Sequence, residues 1–396
     1  MEGEIRVLDI RSLFQQIPME LTSRREKKEV LKEQFRAHEK ELVIYGHGNL
    51  GTELEKGLKN AGWPVRYFLD ANKPTDLEQK RINLKDAAQY LGRDALIIVA
   101  LYDILSAYPS IRSSLQKEGF HNIVIILDLR VWPELFQTGH MHSTIGWDIE
   151  HIPEKQVLEA YSLLADSMSQ KVFRELLHFT VDAPYKEMTL CPAAEQYMPS
   201  ELYAPIKNEC IVDCGAFDGD TMRMFLSAIG TWESYTAIDA DPYNIEKVKA
   251  SIQHDIPEHL RAVTQAVHAA VSNESGTVSF HAGNRTASHI SEEETAKDTA
   301  ISVPVVKLDD VINGPVTLIK MDVEGFELRA LQGAEGLILT NQPLLTICGY
   351  HCQADLWEIP RYIKKLLPNH SIYLRNYVGL IEYVFYAVPP DRVLPR

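Results

Sequence analysis

Ile211-Val212-Asp213-Cys214-Gly215-Ala216-Phe217-Asp218-Gly219-Asp220-Thr221 joins a short apolar run to a glycine-broken turn and then to the helical pattern 222–226. That succession is a strand, a tight loop and a helix. Gly215 and Gly219 permit a sharp turn and a close approach of backbone to ligand, because neither carries a Cβ. Asp213, Asp218 and Asp220 crowd the turn with negative charge. A pyrophosphate held on backbone amides at a helix start would be repelled there, so the loop suits a cationic or zwitterionic ligand. S-adenosylmethionine, with its ammonium and sulfonium groups, has that character, and Asp213 would act on its amino-acid moiety directly or through water. An ordinary strand-to-helix turn is the structural alternative.

The strands that follow fit a donor site around this loop. Residues 234–238 form a second strand ending in Asp239-Ala240-Asp241-Pro242. Asp239 stands about 20 residues after the glycine loop, where an α/β fold places an acid to receive the ribose hydroxyls. A third strand is expected over 261–267, a turn at 269–272 that could flank an adenine, and a hairpin of 277–281 with 301–307 around a polar loop, 283–297. Val316–Met321 is a strand that delivers Asp322-Val323-Glu324-Gly325-Phe326-Glu327 at its carboxyl end, where ligands bind in open α/β sheets. Strands at 344–348, 370–377 and 381–388, with a helix over 355–367, complete a seven-stranded sheet whose last strand is expected to be antiparallel.

The amino-terminal half carries a contrasting loop. Leu42-Val43-Ile44-Tyr45 runs into Gly46-His47-Gly48-Asn49-Leu50-Gly51, a helix over 52–60, and a strand over 65–69 ending at Asp70. This is the full strand, G-x-G-x-x-G, helix, strand and acid context of a dinucleotide site, so Gly46, Gly48, Gly51 and Asp70 are candidate nucleotide-binding residues. Further strands at 96–101 and 122–127 extend the unit to about residue 130. No second half with a hydride-transfer constellation follows, which leaves a Rossmann-like module for binding, docking or assembly as the alternative. The expected organisation is a helical extension (1–40), a Rossmann-like domain (41–130), a helical bridge (131–207) and a catalytic domain (208–396). Thr22–Lys40 reads as a surface helix whose Arg24, Arg25, Lys27 and Lys28 face solvent. Tyr197, near the end of the bridge, is placed to close over a cofactor.

Length and charge restrict the classes. A chain of 396 residues is long for one core and suggests two or three domains. A net charge of −15, with 40 basic against 55 acidic side chains, argues against a nucleic-acid partner. No run approaches the roughly 20 apolar residues of a membrane span, and the charged start lacks a signal-peptide core. Five scattered cysteines suit reduced thiols and a cytoplasmic location.

The motifs as a set resemble one family. Val212–Thr221, Ile319-Lys320-Met321-Asp322-Val323-Glu324-Gly325-Phe326-Glu327 with Leu331-Gln332-Gly333-Ala334, and Asp355-Leu356-Trp357-Glu358-Ile359-Pro360 with Tyr373-Leu374-Arg375 are similar to the FkbM family of S-adenosylmethionine-dependent methyltransferases, over about residues 195–390. The resemblance implies a class I methyltransferase fold, a doubly wound seven-stranded α/β sheet here preceded by the smaller Rossmann-like domain. It also implies O-methylation, commonly of a sugar or polyketide hydroxyl, and so a role such as polysaccharide biosynthesis. Many members have Glu at position 239 and Glu-x-His in place of the Cys348–His351 stretch, so the ribose contact is shortened and the neighbourhood of His351 is expected to be less acidic.

Tyr197, Asp213, Gly215, Ala216, Phe217, Gly219, Asp220, Thr221, Asp239, Ala240 and Asp322 are thus the expected cofactor-binding residues, and Asp322, Glu324 and His351 the catalytic ones. An alcohol is a weak nucleophile, so His351 is a candidate base, oriented by Asp322 or Glu324, either of which could take the proton directly. Alternatively, the two acids hold the loop and cap the next helix. Asp322, Glu324 and His351 also have the donor atoms of a metal site, but nothing in the sequence makes them converge. His140 and His142 lack matching ligands, and Cys210, Cys214, Cys348 and Cys352 suit buried thiols better than zinc. No metal is expected. The expected acceptor is a small molecule or carbohydrate, with homo-oligomerisation open. The competing function is an NAD(P)-dependent oxidoreductase or sugar-nucleotide-binding protein built on the Gly46–Gly51 loop.

Overall fold

The computed structural model describes residues 2–101, 104–136, 148–181, 188–281, 300–377 and 382–394. Two compact units divide the chain, Met1–Glu154 with Leu177–Glu187, and Lys155–Leu176 with Met188–Arg396. The segment 131–207, expected as one bridge, is shared between them, and its apolar periodicity resolves into two helices, Glu154–Ser162 and Ser167–Val181. The loop with His140 and His142 and the polar loop 283–297 lie outside the described residues. Among the described residues, no helix is long and apolar enough to cross a membrane.

The first unit holds a five-stranded sheet made of β1 (Leu42–Tyr45), β2 (Tyr67–Asp70), β3 (Arg81–Asn83), β4 (Leu96–Val99) and β5 (Ile123–Ile125) in the order β3-β2-β1-β4-β5. Every pairing in it is parallel. β1 and β4 are four apolar residues each, buried throughout. Continuous apolar runs of this kind, without alternation, belong to parallel strands covered on both faces. β3 is too short and polar to stand out in the sequence; it is held by its register, Phe68 beside Arg81. The amino-terminal helix runs over Glu2–Ala37 and buries Ile10, Leu13, Leu31 and Phe35, with Phe35 5.6 Å from the ring of Trp63 and 5.7 Å from that of Trp132. Arg24 departs from the expected solvated face. It is buried, and its guanidinium donates to the carbonyls of Thr180 (2.5 Å) and Val181 (3.1 Å), in the last turn of a helix where carbonyls lack intrahelical partners.

The second unit is built on seven strands: β6 (Cys210–Cys214), β7 (Ser234–Asp239), β8 (Thr264–His268), β12 (Leu318–Met321), β13 (Leu344–Cys348), β14 (Ser371–Asn376) and β15 (Tyr383–Val388), in the order β14-β15-β13-β12-β6-β7-β8. Only β15 runs antiparallel to its neighbours. A separate small sheet contains β9 (Ala270–Val271), β10 (Gly276–His281) and β11 (Ala300–Val306). The turn expected at 269–272 is instead strand β9, which pairs in parallel with the hairpin strand β11. The chain winds from β6 outward through β7 and β8, then returns to β12 on the other side of β6. The crevice between β6 and β12 is the switch point at which an open sheet of this kind receives its ligands.

Candidate active site at the carboxyl ends of β6 and β12

The loop after β6 is shaped by close approach. Gly215 has φ +80°, and a Cβ there would lie 1.8 Å from the carbonyl oxygen of Asp322. Only glycine lets this loop press against the end of β12. The amides of Gly215 and Ala216 both donate to the Ile238 carbonyl (2.8 and 3.1 Å), which ties the loop to β7. Gly219, at φ +84°, precedes the helix Asp220–Ile229, in which Thr221 is buried and Asp220 exposed. Phe217 adopts φ +48°, and its exposed ring lies beside the Lys247 ammonium (5.2 Å), as does that of Tyr243 (4.6 Å).

Asp239, at the end of β7, is half-buried and binds protein rather than standing free. Its Oδ2 accepts from the amide of Phe217 (2.8 Å), and its Oδ1 from the amide of Asp241 (2.8 Å) and from Asn244 (3.3 Å). It therefore holds the loop and the following turn, including Ala240, while Oδ2, with one bond accepted, retains further acceptor capacity. Burial pushes its carboxyl upward against these hydrogen bonds.

Asp213 corrects the sequence expectation. It is fully buried, 3.1 Å from the Lys320 ammonium at Oδ1, and it accepts from the Tyr235 hydroxyl at Oδ2 (2.7 Å). The reason is register: Asp213 on β6 and Lys320 on β12 are direct partners in the sheet. Asp213 therefore acts on the loop through Lys320, not on a ligand's amino group. Lys320 donates to the Gly215 carbonyl (2.6 Å) and lies 5.1 Å from the ring of Tyr197. Burial would discharge this ammonium, but Asp213 and Asp322 hold it charged. Asp218 is also neutralised, by Arg223 at 2.8 Å. The loop is thus less negative than its acids suggest. Lys320 was missed in the sequence, although a lysine inside an otherwise apolar strand is a signal that it has a buried partner.

Beyond β12, Asp322 accepts from the hydroxyls of Tyr197 (2.8 Å) and Tyr350 (3.1 Å). Burial would raise its carboxyl, but Lys320, His351 and these hydroxyls hold it below the usual carboxylate range. Tyr197 is buried at φ +68°, so it forms part of the wall behind Asp322. His351 is buried at the centre of a carboxylate group. Its Nδ1 is 2.7 Å from Glu327 Oε1, and its Nε2 is 3.3 Å from Glu324 Oε2 and 3.6 Å from Asp322 Oδ1. Glu327, which the site expectation omitted, is fully buried and also accepts from the amides of Val323 (2.8 Å) and Gly325 (3.0 Å).

Two expectations about His351 change as a result. Its surroundings are strongly acidic, because Glu324 and Glu327 arrive from the turn after β12 rather than from its own stretch. It is also not poised as a base: desolvation favours neutral imidazole, but Glu327, Glu324 and Asp322 raise its pKa to about 10, which makes it an imidazolium at neutral pH. Glu324 is the carboxyl shifted toward neutrality. Desolvation among the neighbouring acids lifts it to about 8, while its side chain is 36% exposed and water at that open edge works against the shift.

The cysteines take no part in a common site. Cys210, Cys214 and Cys348 are buried, Cys352 is half-buried, and all are free thiols. Among the described residues, the group whose donor atoms converge is Asp322, Glu327 and His351, within 4.8 Å of one another.

In the first unit, packing accounts for two of the three glycines of the contrasting loop. A Cβ on Gly51 would lie 2.0 Å from the Gly46 carbonyl oxygen, and one on Gly46, at φ +113°, would lie 2.5 Å from that of Ala100. A Cβ on Gly48 would meet nothing within 4 Å. Asp70 accepts from the amides of Asn72 (2.8 Å) and Lys73 (3.0 Å) in its own turn.

Residues 213–370 match the family model of the Methyltransferase FkbM domain. The chain is similar to the crystal structure of methyltransferase FkbM from Methylobacillus flagellatus KT, with a TM-score of 0.70 at 20% identity over 90% of this chain and 92% of that one. An rRNA methylase from Streptococcus thermophilus (TM-score 0.31, 14% identity, 54% of this chain and 100% of that one) and the N-terminal domain of human METTL16 in complex with SAH (0.29, 10%, 59% and 83%) are more distant likenesses. No match to a curated protein sequence was found. The matched domain contains the Gly215 loop, Asp239, the Asp322–Glu327 turn and His351, so the second unit carries the FkbM domain of an S-adenosylmethionine-dependent methyltransferase.

Proposed function

We propose that the protein methylates a hydroxyl oxygen of a sugar, glycan or glycosylated small molecule, acting as a cytoplasmic enzyme of polysaccharide or related biosynthesis. The observation that supports this is that Asp322 and Glu324 both lie close to His351 Nε2, at 3.6 and 3.3 Å, in the turn against which the Gly215 loop is packed, and an ionised carboxylate can accept the proton of a neutral hydroxyl. S-adenosylmethionine supplies, when bound, a methyl group on positively charged sulfur. The tight loop that Gly215 and Gly219 allow at φ +80° and +84°, the Asp239 carboxylate and Tyr197 are compatible with such a donor.

The chain's own residues then divide the work. Lys320 and Asp239 fix the loop from its two sides. Tyr197 and Tyr350 hold Asp322 ionised and immobile. Glu324 receives the hydroxyl proton in its ionised form, in which its raised pKa makes it a stronger base than an ordinary carboxylate, and the His351 imidazolium stabilises the negative charge gathered around it. Holding the oxygen in line behind the methyl supplies much of the acceleration. The test is incubation with methyl-labelled donor and a panel of sugars, nucleotide sugars and glycosides, with mass spectrometry of the products. Label transferred only to nitrogen or carbon would refute it. A thermal-shift comparison of S-adenosylhomocysteine with NAD tests the oxidoreductase alternative, because stabilisation by NAD alone would favour that reading.

A further inference from the structure

We infer that Tyr203 and Tyr386 are positioning residues for the methyl-donor site: they grip the backbone of Tyr197 on either side and hold it in the left-handed conformation that turns its hydroxyl onto Asp322. The inference rests on reading the crevice beside Asp322 as the donor site, and it gives a role to two buried hydroxyls that the division of work among the site residues leaves unused.

Tyr197 has φ +68°, a region that residues with a Cβ seldom enter and keep only where their surroundings impose it. Phe217 in the loop after β6 (φ +48°) and Glu324 in the turn after β12 (φ +56°) share this feature. Backbone strain of this kind gathers at functional sites. What imposes it on Tyr197 is a pair of hydroxyls. The Tyr197 amide donates to the Tyr386 hydroxyl at 3.2 Å, and the Tyr197 carbonyl accepts from the Tyr203 hydroxyl at 2.5 Å. Both backbone polar groups of this buried residue are thus satisfied by side chains rather than by helix or strand neighbours.

Each grip is itself anchored. Tyr386 lies inside β15, paired with Thr346 of β13 and Tyr373 of β14, and its hydroxyl is 2.7 Å from that of Tyr377. Tyr203 pairs with Val393 in an isolated antiparallel bridge, and the Arg392 guanidinium lies 5.5 Å from its ring. Tyr203, Tyr377 and Tyr386 are all buried, so bulk water does not compete for these bonds. Held in this way, Tyr197 reaches both sides of the crevice. Its hydroxyl donates to Asp322 at 2.8 Å, and its ring lies 5.1 Å from the Lys320 ammonium, which donates to the Gly215 carbonyl. A change of φ at Tyr197 redirects its Cα–Cβ bond, and would withdraw the hydroxyl from Asp322 and the ring from Lys320.

The test compares the full chain with Tyr197→Phe, Tyr203→Phe and Tyr386→Phe, and with the last two combined with Tyr197→Phe, reading S-adenosylhomocysteine affinity by calorimetry and stability by urea unfolding. Tyr197→Phe removes a hydrogen bond to a carboxylate and should weaken affinity about 10–100-fold, whereas Tyr203→Phe and Tyr386→Phe each remove one neutral bond and should weaken it about 2–10-fold. In the Tyr197→Phe background the two further changes should lose most of their effect on affinity while still lowering stability, because they act on the site through the Tyr197 hydroxyl. A folded Tyr386→Phe or Tyr203→Phe that is less stable but binds as wild type has a structural role only, and that result, or an affinity loss of equal size with and without the Tyr197 hydroxyl, would overturn the inference. The wild type supplies a second reading: its Tyr197 amide should exchange with deuterium as slowly as the amides of β15, and exchange at the rate of an exposed turn would overturn the inference even if every variant misfolded. Failure of the wild type to bind S-adenosylhomocysteine would instead count against the donor site, while amide exchange still decides whether Tyr197 is gripped.

Discussion

Replacing Lys320 by Met should be strongly damaging although it removes no residue proposed to touch donor or acceptor. Lys320 and Asp213 face each other at 3.1 Å with side chains 2% and 0% exposed, so removal of the ammonium leaves a carboxylate with no access to water. Breaking a buried pair from one side costs about 3–5 kcal/mol. The second unit has about 230 residues, for which each kcal/mol moves the melting midpoint by roughly 2–4 °C, and the expected loss is about 6–20 °C. The hydrogen bond to the Gly215 carbonyl is lost too, so S-adenosylhomocysteine affinity should fall with stability. Urea unfolding and calorimetry on the single variants and on Lys320→Met with Asp213→Asn provide the assay. The double variant should recover at least half of the lost stability, because the stranded charge is then gone and the introduced amide oxygen can still accept from the Tyr235 hydroxyl. A single variant within about 1 kcal/mol of wild type, or a double variant as unstable as the summed singles, would refute the view that this pair sustains the loop.

Other expectations follow from single contacts. Gly215→Ala adds a Cβ 1.8 Å from a backbone oxygen at φ +80°, and should cost at least 2 kcal/mol or so in urea unfolding and weaken S-adenosylhomocysteine binding. Asp239→Ala removes the acceptor of the Phe217 and Asp241 amides, and calorimetry should show affinity reduced by about 10–100-fold. For pH dependence, burial would raise the Asp166 carboxyl, but hydrogen bonds from Arg375 and Ser169 hold it below its ordinary value. Its contribution is therefore present above about pH 4 and lost as pH falls through the lowered folded value. Asp166→Asn should be less stable than wild type at pH 7, and the gap should narrow in urea titrations run at progressively lower pH, below about 4.

Several departures from expectation have the same origin. Asp213 is in the right strand and His351 in the right site, yet each has a different role from the one its own stretch suggests. Asp213 meets Lys320, and His351 meets Glu324 and Glu327, across long gaps in sequence. Counting charges in a local window overstates the negativity of the 213–220 loop, because Lys320 and Arg223 neutralise two of its acids, and it understates that around His351. Arg24 shows the same limit: helical spacing located the helix but not the carbonyls of Thr180 and Val181 that receive its guanidinium.

The sequence by itself determined the α/β class, the strand-loop-helix at 211–226, the order of strands along the second unit and the methyltransferase domain. These are written in apolar periodicity, glycine placement and contiguous motifs, each of which acts within a few residues of itself. Tertiary structure alone decided which acids are neutralised, which nitrogen of His351 faces which carboxylate, and that Asp322, Glu324, Glu327 and His351 share one centre. Charge state depends on burial and on partners brought together by sheet register, such as Asp213 beside Lys320, and register is a property of the assembled sheet rather than of either strand.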